Sequence, residues 1–525
     1  MELIESQLNN LQISSDNKIN NEVNNWSTID ELAFEKILSY VQKGRIIPIS
    51  LTCKHWYKLS LPRIYSKVNV RKLGYFKKDY SNITSKFSFV KELVSSNIPK
   101  FTYDDIRLVT LCKNLSYLSL DNLLGMNGLE FLEFLDNMPN LRDLSLFGFD
   151  NRNGLSTVEF LELINSVADK FEKLEGLHLT KLDCFDIETN QLLLNSKILT
   201  NLKTFSLNPI ENFNLGQIDT LCANFSNLCV LTLNLEYFFN ANDLNELIYK
   251  CWLLPKLEEL YIKFSTPNTE EYLFQAPQQN LITISNFHFK RLKVFNLRYL
   301  TSVRSFISQF SVPELDFSLK FEMYPENLTH LMLPKIDGKL LTEFSKHCPL
   351  LVEIIMESPL PPPCPGYEIF TNLKRVSATS FEYASIVHHF TMRRLMPNVT
   401  NFNLKSTYTN NTQLNQISLI FPNLHTLAIN GAIPNINELL ADPNTDKANW
   451  KQIYIFRFEY NPSKLLQLLQ LLSNRLDYIT LIWSGYQSNG INSSKLIYNQ
   501  FKNTKVFTGF KESEFSYVGV ELIER

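Results

Sequence analysis

Side chains with the chemistry for catalysis or metal binding are scattered along this chain and do not converge. His388 and His389 are adjacent, but neighbours on a helix point about 100° apart and make a poor metal site without further ligands. Such a pair is expected at a surface or an interface. Glu258-Glu259 and Glu270-Glu271 are adjacent carboxylates. Acid–base chemistry, however, needs two acids held around a cleft with altered proton affinities, and nothing in the pattern places these so. They read as solvated faces. The eight cysteines, Cys53, Cys112, Cys184, Cys222, Cys229, Cys251, Cys348 and Cys364, include no Cys-x-x-Cys pair. That spacing suits neither zinc nor thiol–disulfide exchange, and in a reducing compartment such residues behave as small buried hydrophobes. The sequence also lacks a G-x-x-x-x-G-K-[ST] phosphate loop, a G-x-S-x-G nucleophile elbow and an H-E-x-x-H zinc helix. No catalytic, cofactor-binding or metal-binding residue is assigned, no cofactor is expected, and the chain reads as a non-enzyme that works by binding.

A repeat must position whatever residues do that binding. The pattern L-x-x-L-x-L, with apolar replacements and mostly preceded by Asn, Lys or Arg, occurs fourteen times. Examples are NLSYLSL from Asn114, NLRDLSL from Asn140, KLEELYI from Lys256, NLTHLML from Asn327, NLHTLAI from Asn423 and RLDYITL from Arg475. Successive first apolar positions, Leu115 to Leu476, lie 22 to 36 residues apart. The L-x-L piece has the two-residue period of a strand. Between copies, apolar residues recur at i, i+3, i+4 and i+7, as in Phe131/Phe134/Leu135/Met138, Phe160/Leu163/Ile164/Val167, Leu244/Leu247/Ile248/Cys251 and Leu465/Leu468/Leu469/Leu472. These stripes predict helices whose apolar face is core.

A single strand–helix unit cannot bury both its apolar faces, so the units must stack. The expected fold is an α/β leucine-rich-repeat solenoid, a curved parallel sheet inside and helices outside. Cysteines placed late in the helices, Cys251 and Cys348, resemble the roughly 26-residue cysteine-containing subtype of that repeat. Fourteen strands about 4.8 Å apart give an inner surface on the order of 60 Å long, the reach of a macromolecular binder. The run Ser358–Gly366, SPLPPPCPG, must lack helix and favours an extended connector.

With 525 residues, 44% hydrophobic and 20% charged, the chain has the composition of a globular protein. A formal net charge of -2 gives no basic field for nucleic acid or an anionic membrane. The leucine cluster Leu465–Leu472 is far short of the roughly 20 apolar residues that span a bilayer. The acidic opening MELIE does not read as a secretory signal, so a cytoplasmic or nuclear location is expected.

Residues 1–25 contain seven asparagines and no aromatic side chain and read as a disordered leader. From Trp26, Thr28 and Glu31 are spaced as a capping box, and Phe34, Ile37, Leu38 and Val41 fall on one helical face. After Gly44 come Ile46, Ile47, Ile49 and Leu51, then Thr52-Cys53-Lys54-His55-Trp56-Tyr57 and Leu61-Pro62-Arg63-Ile64-Tyr65. Residues 26–66 thus resemble the F-box family, whose module opens with an acidic, apolar helix, closes in a Val-Cys-Lys-Arg-Trp-like helix and often precedes leucine-rich repeats. Ile29-Asp30 stands where the family has Leu-Pro, and Thr52 where valine is usual.

The resemblance implies a small all-α module that docks on a Skp-type adaptor and through it on a cullin-RING (SCF-type) ubiquitin ligase. Ile29, Leu32, Ile37, Leu38, Ile46, Ile49, Leu51 and Trp56 would divide between the module's core and the adaptor face. The repeats would hold a protein substrate for ubiquitin-dependent degradation. Two readings stay open beside it: the helical piece caps the first repeat, or the whole chain is a repeat scaffold or inhibitor with no ligase role.

The chain is therefore expected to divide into a leader (1–25), the F-box-like module (26–66), a linking or capping segment (67–113), about fourteen repeats (114–500) and a C-terminal cap or tail (501–525). In L-x-x-L-x-L-x-x the leucines point to the core, leaving the third, fifth, seventh and eighth positions for the concave face and its rim. Two groups there have the composition of interface hot spots: Tyr454, Phe456, Arg457, Tyr478, Ile482 and Trp483, and Tyr261, Lys263, Phe264, Arg298 and Tyr299. The alternative for the first group is that the tail, Phe507 to Val520, folds back over Tyr478 and Trp483.

Overall fold

The computed structural model describes residues 46, 54–70, 87–95, 109–121, 128–147, 156–166, 173–180, 197–210, 219, 222–235, 241–264, 291–299, 321, 324–362, 364–379, 392–404, 417–430, 450–456, 478–483 and 504–508. They fall into two compact units, Met1–Pro209 and Ile210–Arg525.

In the first unit, helix α1 (Lys54–Ile64) leads into β1 (Lys67–Val70) and β2 (Glu92–Ser95). Then come β3 (Tyr117–Asp121), α2 (Gly128–Asp136), β4 (Asp143–Phe147), α3 (Thr157–Ser166), β5 (Gly176–Thr180), a 3₁₀ turn (Lys197–Asn201) and β6 (Thr204–Ile210), whose last residue opens the second unit. Each strand pairs in parallel with the next, from β1 to β6.

The second unit begins with β7 (Val230–Leu235), α4 (Ala241–Trp252), β8 (Glu259–Phe264) and β9 (Val294–Tyr299). It continues with β10 (His330–Leu333), α5 (Gly338–His347), β11 (Glu353–Met356), β12 (Arg375–Ala378), β13 (Asn401–Leu404) and α6 (Ile417–Ile420), and ends with β14 (Thr426–Asn430), β15 (Gln452–Phe456), β16 (Tyr478–Trp483) and β17 (Thr504–Thr508). These strands too pair in parallel, in chain order from β7 to β17. Each unit is a parallel sheet with helices in the connections, a solenoid-like α/β arrangement.

All fourteen copies of the repeat form strands, β3 to β16. Three further strands, β1, β2 and β17, lie in the stretches read as linker and tail. Leu118 and Leu120, Leu144 and Leu146, and Phe402 and Leu404 are at most 1% exposed, while the residues between them are only half-buried. That alternation puts the leucines on one side of each sheet, as the two-residue period requires.

The predicted helical stripes meet these leucines. Phe131, Phe134, Leu135 and Met138 on and just after α2, and Leu244, Leu247, Ile248 and Cys251 on α4, are all buried. Edge-to-face contact of Phe131 with Phe160 at 5.7 Å joins α2 to α3, and the ring of Phe402 on β13 lies 4.9 Å from Phe421 just beyond α6. Each buried phenylalanine contributes about 1.5–3 kcal/mol by leaving water. Val167 and the stripe from Leu465 to Leu472 lie outside the described residues.

Successive repeats are joined in register by a recurring backbone device. The N–H groups of positions two and three of one repeat both donate to the position-two carbonyl of the preceding one: Arg142 and Asp143 to Ser116 O (2.8 and 2.9 Å), Val352 and Glu353 to Thr329 O (2.7 and 3.1 Å), His425 and Thr426 to Thr400 O (2.8 and 2.9 Å). The asparagine ahead of the motif adds a side-chain staple. Asn114 Nδ2 donates to Ser88 O at 2.7 Å, and Asn372, Asn398 and Asn423 donate to Pro349 O, Thr371 O and Pro397 O, each at 2.9 Å.

Helix starts are set by side chains. Ser156 and Glu159 form a reciprocal capping box ahead of α3, with bonds of 3.1 and 3.2 Å between each side chain and the other's N–H. Asp337 caps α5 by accepting from Leu340 N–H at 2.7 Å. The capping box expected at Thr28 and Glu31 lies outside the described residues.

Cys112, Cys251 and Cys348 are buried free thiols, as expected, whereas Cys222, Cys229 and Cys364 are free but only half-buried; burial pushes Cys112 and Cys348 up to about 12. The proline-rich run between β11 and β12 packs on α5: Leu360 is fully buried, Cys364 N–H donates to Thr342 Oγ1 at 2.9 Å and Glu368 N–H to Ser345 Oγ at 2.9 Å. Among the described residues no helix is long and apolar enough to cross a membrane.

Two glycines test this packing. A Cβ at Gly338 would collide with the backbone carbonyl of Pro362, and one at Gly176 with the tip of the Asp143 side chain. Backbone in a packed run cannot swing away, whereas a carboxylate can. Gly338→Ala should therefore cost about 1–3 kcal/mol and Gly176→Ala less, read as the shift of the urea midpoint of each variant; equal shifts would contradict the close approach at Gly338.

Candidate protein-binding face

The residues at positions three, five and seven of each repeat stand on the sheet face opposite the leucines. In the second unit, β8 and β9 pair so that Tyr261 faces Asn296, Lys263 faces Arg298 and Phe264 faces Tyr299. The group read from copies six and seven is thus brought together on two adjacent strands. Tyr261, Lys263 and Arg298 are half-buried, and Tyr261 Oη donates to Glu259 Oε2 at 2.9 Å. Lys263 sits below the usual lysine range, first because of burial and then because of the neighbouring Arg298 charge.

Five of the six residues of the C-terminal group lie on paired strands, β15 and β16. Gln452 faces Tyr478, Tyr454 faces Thr480 and Phe456 faces Ile482, with Trp483 ending β16. Tyr454 is half-buried and its hydroxyl donates to Gln452 Oε1 at 3.3 Å; Arg457 lies outside the described residues. Phe507 does not begin a tail folded back across the face. It belongs to β17, which extends the sheet beside β16 with Ile482 opposite Phe507; residues 509–520 lie outside the described residues. The two groups are six strands apart in chain order, on the order of 30 Å.

From Arg298 a charged network runs on through Glu357, His330, Glu353 and Arg375, four residues that aromatic and arginine hot-spot composition did not single out. Arg298 Nε donates to Glu357 Oε1 at 2.9 Å, linking β9 to the end of β11. Arg375 Nη2 lies 3.3 Å from His330 Nε2, and Thr329 Oγ1 lies 2.8 Å from His330 Nδ1. Since arginine can only donate, His330 Nε2 is the acceptor and Nδ1 carries the proton toward Thr329, whose hydroxyl donates to Lys293 O at 2.9 Å. Arg375 Nε stands 3.2 Å from Glu353 Oε1 as an ion pair, at an angle that makes no hydrogen bond. His330, Glu353 and Arg375 all occupy position three, and Glu357 position seven. Their common repeat positions were the signal in the sequence.

The first unit presents a second polar cluster on β1 to β5. Lys67 and Glu92 pair at 3.1 Å. Beyond them come Tyr117, Asp143 and His178, with Gly176 leaving room for the Asp143 carboxylate above it. Burial pushes Asp143 up while the His178 charge opposes the shift, and burial pushes His178 down while Asp143 opposes it. Burial likewise raises Tyr117, against a hydrogen bond with Ser119. The arrangement suits recognition of polar and charged groups. Among the described residues no three His, Cys, Asp or Glu side chains gather as a metal site.

Of the F-box-type positions, Ile46 is 2% exposed and Trp56 is half-buried on α1. Ile29, Leu32, Ile37, Leu38, Ile49 and Leu51 lie outside the described residues, as do His388 and His389. Ser60 Oγ donates to Trp56 O at 2.7 Å; Pro62, which has no N–H to give, stands two residues before the helix ends at Ile64. Only Tyr65 and Ser66 then separate α1 from β1.

No protein-family model matches the chain, and no curated protein does. Among solved structures it is similar to one described as the crystal structure of the Rad7 and Elc1 complex in yeast, at 16% identity and a TM-score of 0.41, over 82% of this chain and 91% of that one. A superposition that loose carries no argument about partners or activity.

His178 makes the first unit's cluster testable through stability. Its folded proton affinity lies below the unfolded value near 6.5, so the unfolded state binds more protons between the two, and stability rises with pH until His178 is neutral in both states. Urea midpoints of the intact protein should therefore gain more between pH 5 and 7.5 than those of His178→Asn; identical gains would show that His178 is not desolvated.

Proposed function

We propose that the chain is the substrate-recognition subunit of an SCF-type cullin-RING ubiquitin ligase. In this reading the F-box-like segment 26–66 binds a Skp-type adaptor, the leucine-rich repeats hold a protein substrate for ubiquitination and degradation, and the chain itself is not catalytic. The observation that carries the reading is one of order. Lys54-His55-Trp56, directly after Cys53 in the sequence, open α1, and α1 delivers the chain two residues later into the first strand of the repeat sheet. A helix so joined has little freedom relative to the first strands, which is what holding a substrate at a fixed distance from an adaptor requires.

The same short junction favours a second reading. A helix placed immediately before β1 also serves as a cap over the end of the repeat array, and the chain would then be an adaptor-free interaction scaffold or inhibitor.

Adaptor capture separates the two. Purified Skp-type adaptor should be pulled down by the intact protein, lost with a chain lacking residues 26–66, and weakened at least about tenfold by Leu38→Asp/Trp56→Ala, the scale of losing hot-spot contacts. Circular dichroism controls for folding of each variant. No capture by the intact, folded protein would transfer the assignment to the scaffold.

A further inference from the structure

We propose that the ends of β8 and β9 form a docking point for an acidic segment of a protein partner, one carboxylate of which sits between Lys263 and Arg298. This rests on the reading that the repeat face holds a protein, and not on the adaptor. Register puts the two cations directly opposite each other on neighbouring parallel strands, with Asn234 of β7 opposite Lys263 on its other side. Arg298 is 35% exposed in its side chain and gives its Nε to Glu357. Lys263 is half-buried and has no acidic partner among the described residues. Glu259, the other acid on β8's face, already accepts from Tyr261 Oη. Elsewhere on the described face, Glu353 and Arg375 pair with each other and Arg375 reaches His330 Nε2, all at position three of β10 to β12.

Among the described residues the local sum is two cations and one carboxylate, an excess of one positive charge. A single incoming carboxylate neutralises it, whereas a phosphate dianion would bring a second negative charge toward Glu357. Lys263's lowered proton affinity has the same origin: a half-desolvated ammonium beside a guanidinium is short of negative charge, and a bound carboxylate supplies it. The ring of Tyr261 offers apolar contact beside the charge, the pairing that dominates interface energies.

The test uses the full chain and three fluorescein-labelled octapeptides, with four central glutamates, four glutamines, or a phosphoserine among glutamines, read by fluorescence anisotropy. The glutamate peptide should bind at least about tenfold tighter than the glutamine one, equivalent to 1.4 kcal/mol, and lose that margin as salt rises. Lys263→Gln and Arg298→Gln should each remove most of the margin and Lys263→Arg should keep it, all with an unchanged circular dichroism spectrum. Equal binding of the glutamate and glutamine peptides, or a margin indifferent to Lys263→Gln, overturns the proposal, as does discrimination confined to the phosphoserine peptide. Adaptor capture by Lys263→Gln should equal that of the intact chain, so a failed docking point and a failed ligase reading give different results.

Discussion

The structure depends on one shared acceptor per repeat. Parallel strands have no hairpin turn to set their register, so something in each connection must deliver the next strand at the correct height. Here the position-two carbonyl takes two N–H groups from the following repeat, as Ser116 does from Arg142 and Asp143 and Thr400 does from His425 and Thr426. With that contact fixed, positions four and six fall on the buried side and positions three, five and seven on the other. A slip of one residue would place leucines on the open face and charges in the core, which the burial of Leu144, Leu146, Leu331 and Leu333 shows has not happened. The asparagine staples reinforce the same joint from the preceding turn.

The period of the leucines made fourteen strands legible because burial on one face of a sheet imposes a pattern that survives substitution of any single member. The three strands it missed have lost part of that pattern. In β2 the motif runs Val90-Lys91-Glu92-Leu93-Val94-Ser95, with serine where the last leucine belongs, although Val90 and Leu93 are 1% and 3% exposed. Strand β1, Lys-Val-Asn-Val, offers valines in place of leucine, and β17, Thr-Lys-Val-Phe-Thr, sets Thr504 and Val506 opposite Ile479 and Leu481 of β16. On the open face, the positions that point outward were legible but the partnerships were not. Arg298 meets Glu357 across 59 residues, and His330 meets Arg375 across 45. Neither distance is a simple multiple of the repeat, since the connections vary in length. Aromatic content selected Tyr261 and Tyr454 and passed over His330, Glu353 and Arg375, whose meaning lies in being beside one another.

Those partnerships bear on how the face would recognise a partner. Side chains already held by Glu357, Thr329 and Glu259 lose less freedom on binding than free ones, so the ordering cost is largely met before a ligand arrives. The two units differ in what they hold ready. The second has two cations beside one described carboxylate, Glu357, at the ends of β8 and β9, and the first has a half-buried carboxylate, Asp143, beside a histidine kept below its usual range.

Such local specialisation is possible because each repeat separates its tasks. Register belongs to the position-two carbonyl and the asparagine ahead of it, core packing to positions one, four and six, and the open face to three, five and seven. A change such as glycine at position three of β5, which admits Asp143, or lysine at position seven of β8, leaves the first two tasks untouched. Half-buried sites of this kind tolerate substitution at a cost well below that of core positions. A sheet whose strands are held by backbone contacts can therefore carry an unlike residue on each successive strand. The same freedom explains why the face of this chain shows no repeat of its own, even though the leucines beneath it do.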